Sequence, residues 1–134
     1  MIHKIDIKTH SRVEFRDITG EVREIVKESN INSGVCHVFV PHTTAGISIN
    51  EHADPDVVED MAAQLDEMVP QYHSYKHSEG NSAAHIKASL MGSSVAVMIE
   101  RGDLALGTWQ GIFFCEFDGP RNRTFRVKTI SDGK

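Results

Sequence analysis

The sequence predicts an α+β fold: a largely antiparallel β-sheet with about three helices packed on one side, in a single domain spanning residues 1–134. Three observations predict it. The chain carries about seven strand-like runs, most of them adjacent in sequence, which favours hairpin connections over parallel crossovers. It carries three amphipathic stretches with recognisable starts and stops. Its 134 residues are 40% hydrophobic and 25% charged, the size and composition of one ordered globular unit.

Each element follows from local signals. Residues 2–9 alternate, with His3, Ile5 and Ile7 opposed to Lys4, Asp6 and Lys8; residues 12–17 alternate with Val13, Phe15 and Asp17 on one side. These two strands are expected to pair as a hairpin. Thr19 reads as a helix N-cap, with Glu21 in the first turn and Val22, Ile25 and Val26 as the apolar stripe. Residues 35–40 form a continuous β-rich run, read as a central strand ended by Pro41, and residues 47–50 form another. Asp54-Pro55 starts a second helix, with Val57 or Val58, Met61, Leu65 and Met68 on its buried side, and Pro70 closes it. Residues 70–80 read as a polar loop. Asn81 or Ser82 opens a third helix, with Ala83, Ala84, Ile86 and Leu90 as its apolar side and Gly92 as its C-terminal cap. The last third reads as strand 94–100, a turn at Arg101-Gly102-Asp103, a long strand 104–118, a connection at 118–122 and a closing strand 123–130.

Composition narrows the partners. Fourteen Lys and Arg against nineteen Asp and Glu give a formal charge of −5, which is not the footprint of a nucleic-acid binder. No apolar run is long enough to span a membrane, and charges occupy the N-terminal stretch where a secretory signal would be apolar, so a cytoplasmic location is expected. Cys36 and Cys115 sit in apolar strand runs and are expected to be reduced, buried and inert.

Eight histidines direct attention to chemistry. His85 falls in the second turn of the third helix, His77 in the loop before it, and His42 at the end of a central strand. A loop folded over the helix start would bring them together. Three imidazoles with open positions suit a zinc-like divalent ion; equally, they can be three separate hydrogen-bonded histidines. His3, His10 and His73 read as solvated, His37 as a satisfied histidine in a core strand, and His52, beside Glu51, as ambiguous. Gly80-Asn81-Ser82 at a helix N-terminus can bind an anion through free N–H groups, with hydroxyls from Thr43 and Thr44 and countercharge from Lys87 and Arg121; an ordinary capped helix is the alternative. Glu116 and Asp118, two apart on a strand, can be an acid/base pair or a magnesium site, or Asp118 can simply begin the turn. Trp109 lies between Gly107 and Gly111, where close ligand approach and core packing over a bulge are both open readings.

Several blocks together resemble the YjbQ-like family, also called secondary thiamine-phosphate synthases, over about residues 2–130. They are Val38 to Gly46 (VFVPHTTAG), Asn50-Glu51 through Asp54-Pro55-Asp56, His77 with Glu79-Gly80-Asn81 and Ala84 to Leu90 (AHIKASL), and Leu106 to Gly111 (LGTWQG) on to Glu116 to Arg121 (EFDGPR). The family often has asparagine where this chain has His52, which leaves His52 outside the core site. The resemblance implies a homotrimer of small α+β subunits with a polar pocket for a small phosphorylated heterocycle. It also implies a weak transferase activity joining a hydroxymethylpyrimidine pyrophosphate to a thiazole phosphate. On that expectation His85, Lys87, Glu116 and Asp118 are catalytic. Thr43, Thr44, Asn50, Gly80, Asn81, Trp109, Gln110 and Arg121 contact substrate, and His42, His77 and His85 hold a divalent ion, zinc-like or magnesium. The alternative is a non-catalytic trimeric module that binds a metal ion or a phosphorylated metabolite.

Overall fold

The computed structural model describes residues 1–133. In chain order they form β1 (Ile2–Lys8), β2 (Glu14–Asp17), α1 (Thr19–Glu28), β3 (Gly34–Phe39), β4 (Ala45–Glu51), α2 (Pro55–Met68), α3 (Ser82–Met91), β5 (Ser94–Glu100), β6 (Asp103–Leu104), β7 (Gln110–Glu116) and β8 (Asn122–Ser131). The α+β class, the antiparallel pairing and the three helices are as expected. The strands divide into two sheets, a five-stranded one ordered β1-β8-β3-β5-β6 and a three-stranded one ordered β2-β7-β4.

Apolar phase explains the layering. Ile47, Ile112 and Phe114 of the small sheet face Cys36, Val38, Val97, Phe125 and Val127 of the large sheet, and the Val22-Ile25-Val26 stripe of α1 closes this main core. The opposite face of the small sheet offers Phe113, Cys115 and Phe117, which α2 and α3 cover with Leu65, Ala84 and Ala88. β7 is thus buried on both sides, which is why Ile112-Phe113-Phe114-Cys115 reads as an unbroken apolar run. Among the described residues no helix covers the outer face of the large sheet. Val35, Met98 and Ile130 lie side by side across it, Met98 at 69% exposure. His37 shares that outer face and is exposed, which corrects its reading as a core histidine.

Three other expectations are corrected. β1 and β2 do not pair: β1 lies along β8 over seven residues, and β2 crosses to the other sheet and lies along β7. The run 104–118 is two strands. The chain turns at Gly107, whose carbonyl accepts from Gln110 N–H (3.1 Å) and whose N–H donates to the Gln110 side chain (2.9 Å). Thr19 does not cap α1: Ile18 holds the N-cap position without a side-chain bond, and Asp17 just before it accepts from both the N–H and the hydroxyl of Thr19 (2.9 and 2.6 Å). The freed Thr19 oxygen accepts from Ile112 N–H at 2.8 Å, tying the helix start to β7. By contrast α2 starts as expected, with Asp54 accepting from Asp56 N–H (2.9 Å) ahead of Pro55. Both cysteines are free and buried, and burial pushes the Cys36 thiol up to about 11 and the Cys115 thiol up to about 12.

Candidate functional site

Three connections meet at one end of the small sheet: Pro41–Thr44 between β3 and β4, the loop leading into α3, and the link from β7 to β8. Between them lies an open hollow of about 430 Å3, lined by His42, Thr43, Thr44, His77, Glu79, Asn81, His85, Asp118, Arg121 and Arg123. The convergence of distant segments that the sequence suggests is therefore present for His42, Thr43, Thr44, His77, Asn81, His85, Asp118 and Arg121.

Its base is an ion pair. Glu116, fully buried, takes the Arg123 guanidinium on both carboxylate oxygens (2.9 and 2.5 Å), with Thr9 Oγ1 donating at 2.7 Å and Asp118 N–H at 3.1 Å. Burial alone would raise the Glu116 pKa. The hydrogen bonds from Arg123, Thr9 and Asp118 N–H outweigh it, so the carboxyl lies below its ordinary range. Arg123 also donates to Thr44 Oγ1 (2.8 Å), fixing the floor of the hollow. Glu116 is fully engaged in this pairing, which corrects its assignment to an acid/base or magnesium pair with Asp118.

Above the floor, Asp118 accepts from Asn81 Nδ2 (2.9 Å) and from the half-exposed Arg121 guanidinium (2.8 Å), which also donates to the Asp118 carbonyl (2.7 Å). Asn81 spends its amide nitrogen on Asp118 and leaves its buried Oδ1 without a partner. α3 consequently has no side-chain cap, and its first-turn N–H groups lack a side-chain acceptor. The His77 and His85 rings stand perpendicular, 5.6 Å apart, and His77 Nε2 lies 3.9 Å from Glu79. His42 packs edge-on to Phe114 and uses Nε2 on the Thr124 backbone, 3.0 Å from its nitrogen and 3.1 Å from its oxygen. Burial and the Arg123 charge lower the His42 pKa, with the Thr124 carbonyl opposing.

This geometry bears on the three-histidine metal centre. Among the described residues no three His, Cys, Asp or Glu groups are placed to hold one ion. His42 spends Nε2 on Thr124 and keeps only Nδ1 free for a ligand role, and the trio expected from the sequence is not among the groups so placed.

Other expected residues lie elsewhere. Lys87 points away from the hollow: it is 1% exposed, pairs with Asp66 of α2 and sits 5.9 Å over the Phe117 ring. It clamps α3 to α2 and does not line the hollow where the sequence expects it. Lys87→Met should therefore leave ligand binding unchanged and alter stability by no more than about 1.5 kcal/mol, because a similar-sized apolar chain can replace a buried cation while Asp66 keeps Arg12 and solvent; urea denaturation reads this. Asn50, Trp109 and Gln110 lie at the far end of the small sheet. Register pairs Ala45 with Glu116 at one end and Glu51 with Gln110 at the other, about 20 Å away at the strand rise. Trp109 is 63% exposed there, so it neither packs in the core nor reaches the hollow. Beside it His52 bonds Asp17 (2.9 Å), its ring laid on Gly111 where a Cβ would stand 2.4 Å from Nδ1. Gly80 takes the left-handed backbone (φ 79°) that turns the loop into α3, outside the lining. Arg123 is the residue that sequence reasoning passed over. Its signal is phase: it alternates with Phe125 and Val127, and an inward-facing arginine requires a buried acid.

The profile of the UPF0047 protein YjbQ-like family matches residues 3–132. The UPF0047 protein YugU of Bacillus subtilis is 54% identical over 131 residues, covering 97% of this chain and 99% of the relative. Among solved structures, an uncharacterised conserved protein of the same family from Clostridium acetobutylicum superposes with a TM-score of 0.94 at 56% identity, over 96% of this chain and 99% of that one. A protein of unknown function from Sulfolobus solfataricus does so with a TM-score of 0.94 at 36% identity, over 98% and 97%. These relatives carry a family designation and no activity, and none supports thiamine-phosphate synthesis, so the transferase activity implied by the resemblance is withdrawn. With the family profile spanning nearly its whole length and more than half its residues shared with a relative of equal extent, the chain belongs to the UPF0047, YjbQ-like family.

Proposed function

We propose that the hollow binds the phosphoryl group of a small molecule. The observation that carries this reading is the convergence of the half-exposed Arg121 guanidinium, the uncapped start of α3 and the His77–His85 pair on one open space. Thr43 and Thr44 add hydroxyls, and the imidazoles can donate to phosphate oxygens or carry a proton to an ester oxygen. A chain of net charge −5 whose hollow balances Arg121 and Arg123 against Asp118 and Glu79 fits a small partner better than nucleic acid. Among the described residues no helix is long and apolar enough to cross a membrane. Titration calorimetry with inorganic phosphate at pH 7 tests the reading. Saturable binding is expected, weakened roughly tenfold by Arg121→Ala through the lost charge-assisted hydrogen bonds. Absence of binding by the unaltered protein rejects it.

The His77–His85 pair favours a second reading, a divalent ion held by these two rings with further ligands from solvent or substrate. Elemental analysis of pure protein and of His85→Ala checks it: an ion retained by the variant would refute the site. The uncovered face of the five-stranded sheet, with Val35, Met98 and Ile130 in one row, supports assembly into the homotrimer. Sedimentation equilibrium of the parent and of Met98→Lys measures it.

A further inference from the structure

His42, Thr43 and His85 line a second hollow as well as the first. It has a volume of about 460 Å3 and opens beside the other flank of these residues, against Ala45, Ala88, Ser89, Gly92 and Ser93. The two spaces differ sharply in charge. The first presents Arg121, Arg123, Asp118 and Glu79; the walls of the second contain no Asp, Glu, Lys or Arg. Its room comes from small side chains on a fixed backbone. The end of α3 rests directly on β4, with Ile47 N–H donating to the Gly92 carbonyl at 3.0 Å, and a Cβ at Gly46 would stand 2.8 Å from that same oxygen. Gly92 itself has φ 92°, a conformation other residues resist. α3 and β4 are therefore held in backbone contact at Gly92, and Ser89, whose hydroxyl donates to the His85 carbonyl at 3.0 Å, stands at the margin of the space.

We infer that the two hollows are the two lobes of one site, with the neutral lobe holding the uncharged body of a phosphomonoester whose phosphoryl group lies in the charged lobe. The inference rests on the phosphoryl-binding reading and adds the substrate class to it. A compact alcohol body meets hydroxyls from Ser89 and Ser93 and methyls from Ala45 and Ala88. A second anionic group on that body would enter a lobe with no cation to receive it, so monoesters of uncharged alcohols are selected over diphosphates and phosphorylated acids. His42 and His85, shared by the two lobes, stand at the boundary where the bridging ester oxygen would lie.

Calorimetry on the full chain with inorganic phosphate, glycerol 3-phosphate and 3-phosphoglycerate tests this. Glycerol 3-phosphate is expected to bind roughly tenfold tighter than inorganic phosphate, and 3-phosphoglycerate, of similar size but with a carboxylate, to lose that gain. Ser89→Phe and, separately, Ser93→Phe fill the neutral lobe from its margin. Each should bring glycerol 3-phosphate down to the level of inorganic phosphate while inorganic phosphate itself stays within about twofold of the parent, with near-ultraviolet circular dichroism reporting the fold. Equal affinity of the parent for all three ligands, or equal weakening of all three by both variants, overturns the two-lobe site and leaves the phosphoryl reading standing. Failure of the parent to bind inorganic phosphate and both esters overturns both.

Discussion

Glu116→Ala is expected to lower the unfolding free energy by about 3–5 kcal/mol, read from the urea midpoint at pH 7, because it strands the Arg123 guanidinium in the interior without its carboxylate. Thr9 and Asp118 lose an acceptor in the same change, and both belong to the scaffold under the hollow. Glu116→Gln separates charge from shape. The fold holds the Glu116 carboxyl below its ordinary value of 4.5, so the ionised form is the one that folding favours. Its contribution is complete above about pH 4.5 and is lost as pH falls through the lowered folded value. The parent should therefore weaken in acid over that window, and Glu116→Gln should be weaker at neutral pH but flatter below it. A variant whose acid limb matches that of the parent would show that other carboxyl groups dominate.

Phe114→Ala should cost about 3–5 kcal/mol, the usual range for emptying a fully buried aromatic site. Phe114 packs edge-to-face on His42 and against Phe125, with ring centroids 6.5 and 6.4 Å apart. Its loss therefore removes a contact that orients a histidine of the hollow as well as core volume. Phe114→Leu, which retains most of that volume, should recover more than half of the stability. If it recovers stability without recovering phosphate affinity, the aromatic edge itself positions His42.

What could be read in advance divides along sequence separation. Asp54-Pro55 and Pro70 marked the ends of α2, Gly92 the end of α3, and the stretch 94–100 coincides with β5, because each signal is carried by neighbouring residues. The partners of β1 and β2 were hidden because nothing local states which edge a half-polar strand will take; β8 and β7 are more than 90 residues away. The same limit governs the site. His77 and His85 are eight positions apart and a folded-back loop brings them together, so their meeting was legible. Lys87 follows His85 by two residues and looks like its companion, yet helical phase turns it to the other side, where Asp66 of α2 receives it. Asn50 follows the block that holds Thr44 by a few residues, and Gln110 lies in the stretch that runs on to Glu116; nothing in a linear sequence says that an intervening strand separates each pair by nearly its full length.

The double burial of β7 has a consequence for how the molecule comes apart. Phe113 and Cys115 belong to one apolar cluster, Ile112 and Phe114 to the other, so a single strand is common property of both. Neither cluster can loosen without disturbing the other's central strand, and melting should be cooperative, with the backbone amides of residues 112–115 among the slowest to exchange with deuterated solvent.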